Sequence, residues 1–497
     1  MLILTHPNKE DIYNPYKVKV NGICAHTYKA RVSSMPYNTA WPGRQRPLDQ
    51  TELCPVLSFS SDESVKISVT YEYAPREVMI RPMSKKVKAA ICDNTVSFEL
   101  SEYGAYTLEC DGFHNALHIF FDPICDFEES VKGKNTVLRY GAGVHEIGKT
   151  ELLSDTAVII DRDATVYGSF VAVNAQNISI CGFGIIDGSY EERDDESSLL
   201  PLDYNAPISQ DKQDIFKLFE KNSVLDGLIR FYRCKRVSVE GVTMRNSSTF
   251  GLICANCEDI KIDNIKAIGM WRYNSDGIDL FNCKNASVKN CFLRCFDDCI
   301  VLKGICGWDT VGMENVLVEN CVTWCDWGRN LEIGAETNAP YYKNIIFKNC
   351  DCIHGSTIFC DIQHHNRADI SDVTFEDIRC EYTKYQLSDT YQHNMSAPFE
   401  PTFPARHPFL INAAIYSMGL FSKDGLHGNI SNVIFRNIQM LSDNKDILYP
   451  VVIISGLDES HKVDGVLIDG VFRDGEKLSQ NNIEWHINEF AKNVEFI

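Results

Sequence analysis

Between Val65 and Ile119 apolar residues return at every second position, in the runs Val65-Ile67-Val69, Val78-Ile80, Val96-Phe98-Leu100 and Leu117-Ile119. That period belongs to strands with one buried face. Turn-prone stretches such as Ser60-Ser61-Asp62-Glu63 separate the runs, and short strands at such spacing predict a β-sandwich over residues 1–130. Asp122-Pro123 marks its end, and the polar segment from Phe127 to Lys134 reads as a connection. Beyond it the pattern changes. A six-residue core with apolar first, third and sixth positions recurs as 178–183, 237–242, 260–265, 286–291, 316–321, 345–350, 373–378, 433–438 and 466–471. From Val237 to Val373 successive cores start 23 to 30 residues apart, the period of a solenoid.

The residue types within each core select among solenoids. Two alternating β-branched or aromatic residues, then Gly, Asn or Asp, then one more apolar residue describe a short strand followed by a bend. Asn and Gly tolerate the left-handed backbone that such bends require. Helical and leucine-rich repeats need other periods, and neither occurs. One strand in the same sense per repeat gives parallel sheets wound into a coil, each turn about 4.8 Å from the next. The fold class is therefore all-β: a right-handed parallel β-helix over residues 131–497 behind an N-terminal β-sandwich. The wider gaps at about 190–230 and 383–430 read as loops that wall a groove.

Composition narrows the function. The chain has 497 residues, 44% of them hydrophobic, enough for a large core. Its formal charge of −20, with 48 Lys and Arg against 68 acids, argues against nucleic acid and against an anionic membrane surface. No apolar run is long enough to span a bilayer. The first residues, Met1-Leu-Ile-Leu-Thr-His-Pro, lack the features of a secretory signal, so the expectation is a cytoplasmic protein. Many of the twenty cysteines fall at apolar positions of the repeat, where a reduced thiol serves as a small hydrophobe.

Chemistry concentrates in two segments, Asn274-Ser-Asp276-Gly-Ile-Asp279 and Phe296-Asp297-Asp298-Cys-Ile-Val-Leu-Lys303. Asp276 and Asp297 lie about one coil apart, so a β-helix stacks them on one face. Asp298 follows Asp297 directly, and consecutive strand residues point to opposite faces. Both serve one site only if the chain bends there. Glycosidic hydrolysis needs a protonated carboxylic acid on the leaving oxygen and an ionised carboxylate that activates water or attacks the sugar. Crowding three carboxyls makes full ionisation costly and separates those roles. Single Asp-Gly corners are usually solvated turns; three converging aspartates are not.

These residues resemble the polygalacturonase family of glycoside hydrolases (family 28) and its relative, the dextranase and isopullulanase family (family 49). The family-28 pattern runs Asn-Thr-Asp-Gly, Asp-Asp one coil later, Gly-His-Gly, then Arg-Ile-Lys. Here Asn274-Ser-Asp276-Gly277 and Asp297-Asp298-Cys-Ile match the first two, and Gly182–Gly188 resembles the segment that opens the family's β-helix. The resemblance covers about residues 135–480. It implies inversion, with Asp297 as general acid and Asp276 and Asp298 positioning the attacking water. Two departures stand beside it. Gly328-Arg329-Asn330 occupies the Gly-His-Gly position, and Cys360-Asp361-Ile362-Gln363 replaces the basic pair that grips a uronate carboxylate. An acidic or neutral side chain there does not clamp a polyuronate. Trp324-Cys-Asp-Trp327 and the sandwich look more like the dextranase side, so the expected substrate is a neutral or little-charged oligo- or polysaccharide.

Asn274, Lys303, Arg329, Trp327, Glu332 and Asp361 are the candidate substrate-binding residues; Trp271, Trp308, Trp324, Tyr273 and Glu336 are weighed against plain packing. Adjacent His364 and His365 point apart on a strand and make a poor metal pair, and Cys350-Asp-Cys352 has no partner pair at zinc spacing. No Walker loop or dinucleotide fingerprint occurs, and no metal or cofactor is expected. The competing readings are a polysaccharide lyase, with Lys303 or Arg329 as base and the aspartates holding calcium, and a non-catalytic sugar-binding solenoid.

Overall fold

The computed structural model of the chain describes residues 1–34, 48–114, 116–191, 211–213, 227–305, 310–383, 390–391, 400–401, 407–417, 425–442 and 449–497. Trp308 and most of the two wide gaps lie outside the described residues.

The alternating N-terminal runs form two sheets. One contains Leu2–Leu4, Tyr28–Ser33, Thr51–Ser61, Val78–Arg81, Gly104–Cys110 and Leu117–Asp122; the other contains Lys17–Val20, Ile23–Ala25, Val65–Thr70, Ala90–Cys92 and Thr95–Leu100. Leu57, Phe59, Leu108 and Ile119 of the first face Val18, Val20, Ile67 and Phe98 of the second in one core. Leu117–Asp122 is buried on both faces. The reason is that Tyr28, Ala30, Val56 and Phe120 pack outward onto Ile185, Ile268, Phe292, Trp324 and Ile353 of the second half of the chain. The sandwich is thus sealed against the β-helix.

The remainder is a parallel β-helix, as the repeat requires. From Gly227 to Tyr382 each coil supplies three strands, and each strand pairs in parallel with the one three further on. Lys235–Glu240, Thr243–Arg245 and Phe250–Ala255 make one coil; Glu258–Asp263, Lys266–Met270 and Ile278–Phe281 make the next. These series build a first, a second and a third sheet. All nine sequence cores fall in one ladder of the first sheet, Ile178, Val237, Ile260, Ala286, Val316, Ile345, Val373, Val433 and Val466 standing directly opposite one another. The fifth position of every core has positive φ: Gly182, Gly241, Asn264, Asn290, Asn320, Asn349, Asp377, Asn437 and Gly470. Left-handed backbone at each of these points turns the first sheet into the second. The side chains of Asn290, Asn320 and Asn349 also hydrogen-bond from coil to coil.

Sixteen of the nineteen described cysteines are buried, and Cys24, Cys92 and Cys125 are exposed. Cys291, Cys321 and Cys350 stack at the sixth position, and every described cysteine is free. Their thiols donate to backbone carbonyls two residues earlier.

Candidate active site

The second-sheet strand Phe292–Cys295 ends and the third-sheet strand Ile300–Gly304 begins with Asp297 and Asp298 in the corner between them. The bend that the sequence demands is present. Cys299 and Ile300 are consecutive yet both lie in the core, so alternation is broken and Asp298 stays on the outside with Asp297. On the preceding coil Asp276 occupies the same corner, and the Gly277 N–H donates to the Asp298 carbonyl at 2.8 Å. On the following coil the Cys299 N–H donates to the Arg329 carbonyl at 2.9 Å. Gly328 presses directly on the aspartate pair. A Cβ there would fall 2.5 Å from Asp298 Oδ1 and 2.7 Å from the Asp297 carbonyl carbon.

The three aspartates are buried, each 5% exposed or less. Two cations serve them. Lys303 Nζ donates to Asp276 Oδ2 at 2.5 Å and lies 3.2 Å from Asp279 Oδ1 and 3.6 Å from Asp298 Oδ2. Its ammonium stands 4.9 Å from the centre of the Phe250 ring. The Arg329 backbone N–H donates to Asp298 Oδ1 at 3.0 Å. Its guanidinium lies 3.7 Å from Asp298, 3.9 Å from Glu332 and 3.7 Å from Asp361, and it donates to Gln363 Oε1 at 2.8 Å. Third-sheet register aligns Asp279, Val301, Glu332, Asp361 and Asn412 on successive coils. Asn412 donates to Asp361 at 2.7 Å, and Tyr416, stacked on His365, donates to Asn412.

This crowding separates the carboxyls by ionisation. Burial, reinforced by Asp276 and Asp298, pushes the Asp297 carboxyl far above the ordinary range. Burial acts on Asp298 too, but Lys303 and Arg329 overcome it and hold that carboxyl below its ordinary value. Burial lifts Asp276 to about 7 against the pull of Lys303. Asp279 and Glu332 are raised well above normal by burial, and Asp361 reaches about 7 for the same reason, with Arg329 opposing.

The other sequence candidates divide. Trp327 is half-buried beside the aspartate corner, stacked on Phe296 at 5.5 Å and tilted against Tyr273. Asn274 is half-buried in the turn before Asp276, with φ of 55°. Glu336 is half-buried on the strand that carries Glu332. Glu332 and Asp361 are fully buried beneath Arg329. Trp324 lies elsewhere, between Arg294 and His354 against the sandwich, and Trp271 is buried with its indole N–H on Asn246. Among the described residues no group of three His, Cys, Asp or Glu side chains is arranged to hold a metal. Asp279, Asn412 and Tyr416 were not singled out by the sequence. Asp279 was signalled by its place in Asp276-Gly-Ile-Asp279, whereas Asn412 and Tyr416 follow an insertion that erases the coil spacing.

Residues 156–393 match the family model for glycosyl hydrolases family 28. Among curated relatives, an exopolygalacturonase of Arabidopsis thaliana is 25% identical over 227 residues, 44% of this chain and 45% of its own. A dextranase of Arthrobacter sp. (strain CB-8) is 24% identical over 185 residues, 31% of this chain and 27% of its own. The chain spans less than half the length of the curated relatives it matches. Among solved structures, Dex49A from Penicillium minioluteum superposes with a TM-score of 0.63 at 13% identity, covering 99% of this chain and 96% of that one. That likeness concerns the fold, and it extends through the sandwich as well as the β-helix. The resemblance read from the aspartate motifs, and the all-β fold class, are borne out.

Proposed function

We propose that the protein is an inverting glycoside hydrolase acting on a neutral or little-charged glycan. The observation that carries this reading is geometric: Asp276, Asp297 and Asp298 are buried together in one corner, and Arg329 contacts Asp298 through its backbone N–H at 3.0 Å and its guanidinium at 3.7 Å. Burial raises the Asp297 carboxyl, whereas Lys303 and Arg329 outweigh burial and lower that of Asp298, which assigns acid and base respectively. Inverting hydrolysis requires a protonated acid at the leaving oxygen and an ionised base that activates water on the opposite face of the ring. Asp297 protonates the leaving oxygen. Asp298, with Asp276, orients and deprotonates a water that attacks the anomeric carbon from the opposite face of the ring. The match to family 28 and the polygalacturonase and dextranase relatives support the reaction class.

The choice of a neutral sugar rests on where the cations go. Lys303 and Arg329 are both engaged by carboxyls of the protein. A uronate entering here would meet a wall of carboxyls with both cations already committed. The half-buried Trp327 and Tyr273 offer ring faces to an uncharged pyranose instead.

A panel of neutral and acidic oligosaccharides, followed by proton NMR of the first product, tests the reading. The expected result is hydrolysis of a neutral substrate, with the product anomer opposite to the original linkage. Asp297→Asn should lower turnover roughly a thousandfold while leaving binding and folding intact. Near-normal turnover in that variant, a retained anomer, or a product with a new double bond absorbing in the ultraviolet would each refute it.

A further inference from the structure

Among the described residues, six carboxyl groups, those of Asp276, Asp279, Asp297, Asp298, Glu332 and Asp361, share this buried site with two cations, Lys303 and Arg329. Buried charge without a partner costs several kcal/mol, so the cluster must retain most of its protons. The question is what selects Asp298 to be ionised. Asp276 and Asp279 face it from the preceding coil, Asp297 from its own corner and Lys303 from its own strand. Arg329 and Glu332 face it from the following coil, Asp361 from the coil beyond, and the Cys325 thiol approaches from the core.

Arg329 distinguishes Asp298 from the others. It reaches that carboxylate twice, through its backbone N–H at 3.0 Å and its guanidinium at 3.7 Å. Glu332 is fully buried, neither of its oxygens has a hydrogen-bond donor, and it lies 3.9 Å from the same guanidinium and within hydrogen-bonding reach of Asp298. In its acid form Glu332 has an O–H to give to the ionised Asp298 beside it. Gln363 and Asp361 hold the guanidinium in place from the next coil.

We propose that Arg329 and Glu332 are positioning residues for the hydrolysis: Arg329 fixes Asp298 as the ionised base, and Glu332 acts as a neutral hydrogen-bond donor rather than as a carboxylate. This inference rests on the glycosidase reading above. It recasts both residues, which the sequence placed against the substrate, as groups that act through Asp298.

Two variants and two readouts test it. Arg329→Gln should raise the pH at which the acid limb of kcat/KM falls by about one unit or more, since an adjacent arginine depresses an aspartate by that much. KM should change little beside kcat. Glu332→Gln keeps the shape and an N–H donor, so its turnover should stay within a few-fold of wild type, while Glu332→Ala should lose far more. Carboxylate NMR of protein labelled at aspartate reads the Asp298 titration without turnover, so a chain that hydrolyses nothing still tests the assignment of Arg329. An unmoved Asp298 titration in Arg329→Gln would overturn the proposal. So would a Glu332→Gln variant as inactive as Glu332→Ala, because that would require ionised Glu332.

Discussion

At Gly328 the backbone of one coil touches the aspartate corner of the coil before it. The three atoms a Cβ would meet include Asp298 N at 2.6 Å and the Asp297 carbonyl carbon at 2.7 Å, and backbone atoms cannot swing aside as a side-chain end can. Gly328→Ala is expected to push the Asp297–Asp298 corner outward. A displacement of this size in a positioned acid–base pair costs about a hundredfold in kcat. Circular dichroism and melting should show the β-helix retained, and a kcat within a few-fold of wild type would show that the corner does not depend on this contact. The three aspartates themselves were legible in the sequence, because residue type, coil spacing and the crowding of carboxyls all converged on them. The bend between Asp298 and Ile300 was legible only as a requirement. The placing of Lys303 and Arg329 was not. A cation next to an acidic motif reads equally well as a hand for the substrate, and only burial reveals that both are committed to protein carboxyls.

The first-to-second-sheet corners illustrate the element scale. Asn290, Asn320 and Asn349 combine two properties that asparagine offers together: tolerance of left-handed φ and an amide whose N–H donates to the preceding coil while its oxygen accepts from the following one. Asn320→Ala loses both and should destabilise the protein by about 2 kcal/mol, from roughly 1 kcal/mol of backbone strain and a similar loss of hydrogen bonds. Asn320→Gly restores the backbone freedom but not the ladder, so it should fall between wild type and alanine. Urea unfolding of the three proteins measures this; equal stability of the glycine and alanine variants would remove the backbone part of the argument. These corners were readable because every one of the nine cores carries Gly, Asn or Asp at its fifth position. The third sheet was less readable, since its strands begin after turns of variable length, and the insertion after Tyr382 hides Asn412 and Tyr416 from any count of residues.

At the scale of the whole molecule, the outer face of the second sheet carries a column of charged and polar side chains that a sequence pattern assigns to solvent. The sandwich covers them instead. Arg245 pairs with Asp187 and with Asp11 of the sandwich, Lys266 with Asp122 at 2.6 Å, Arg294 with His118 at 2.8 Å, and His354 with Glu109 at 2.6 Å. Arg81 joins Glu109 at 2.9 Å and also binds Glu381 of the β-helix. Periodicity tells which side of a strand faces out but not what another domain will lay over it, so this interface was invisible until the two parts were seen together. Glu109 is its hub. Burial acts to raise its carboxyl, but Arg81 and His354 outweigh burial and hold it at about 2, below its usual 4.5. A carboxyl depressed in the folded state contributes stability that is full above 4.5 and disappears as the pH falls from there towards 2. Glu109→Gln removes one partner of a buried pair, and because Arg81 keeps Glu381 the expected loss at pH 7 is about 3 kcal/mol, the lower end for such changes. Thermal unfolding followed from pH 7 to pH 3 should show the gap between wild type and variant shrinking below pH 4.5. A gap that stays constant with pH would mean that the loss arises from packing, and that charge pairing does not hold the sandwich to the β-helix.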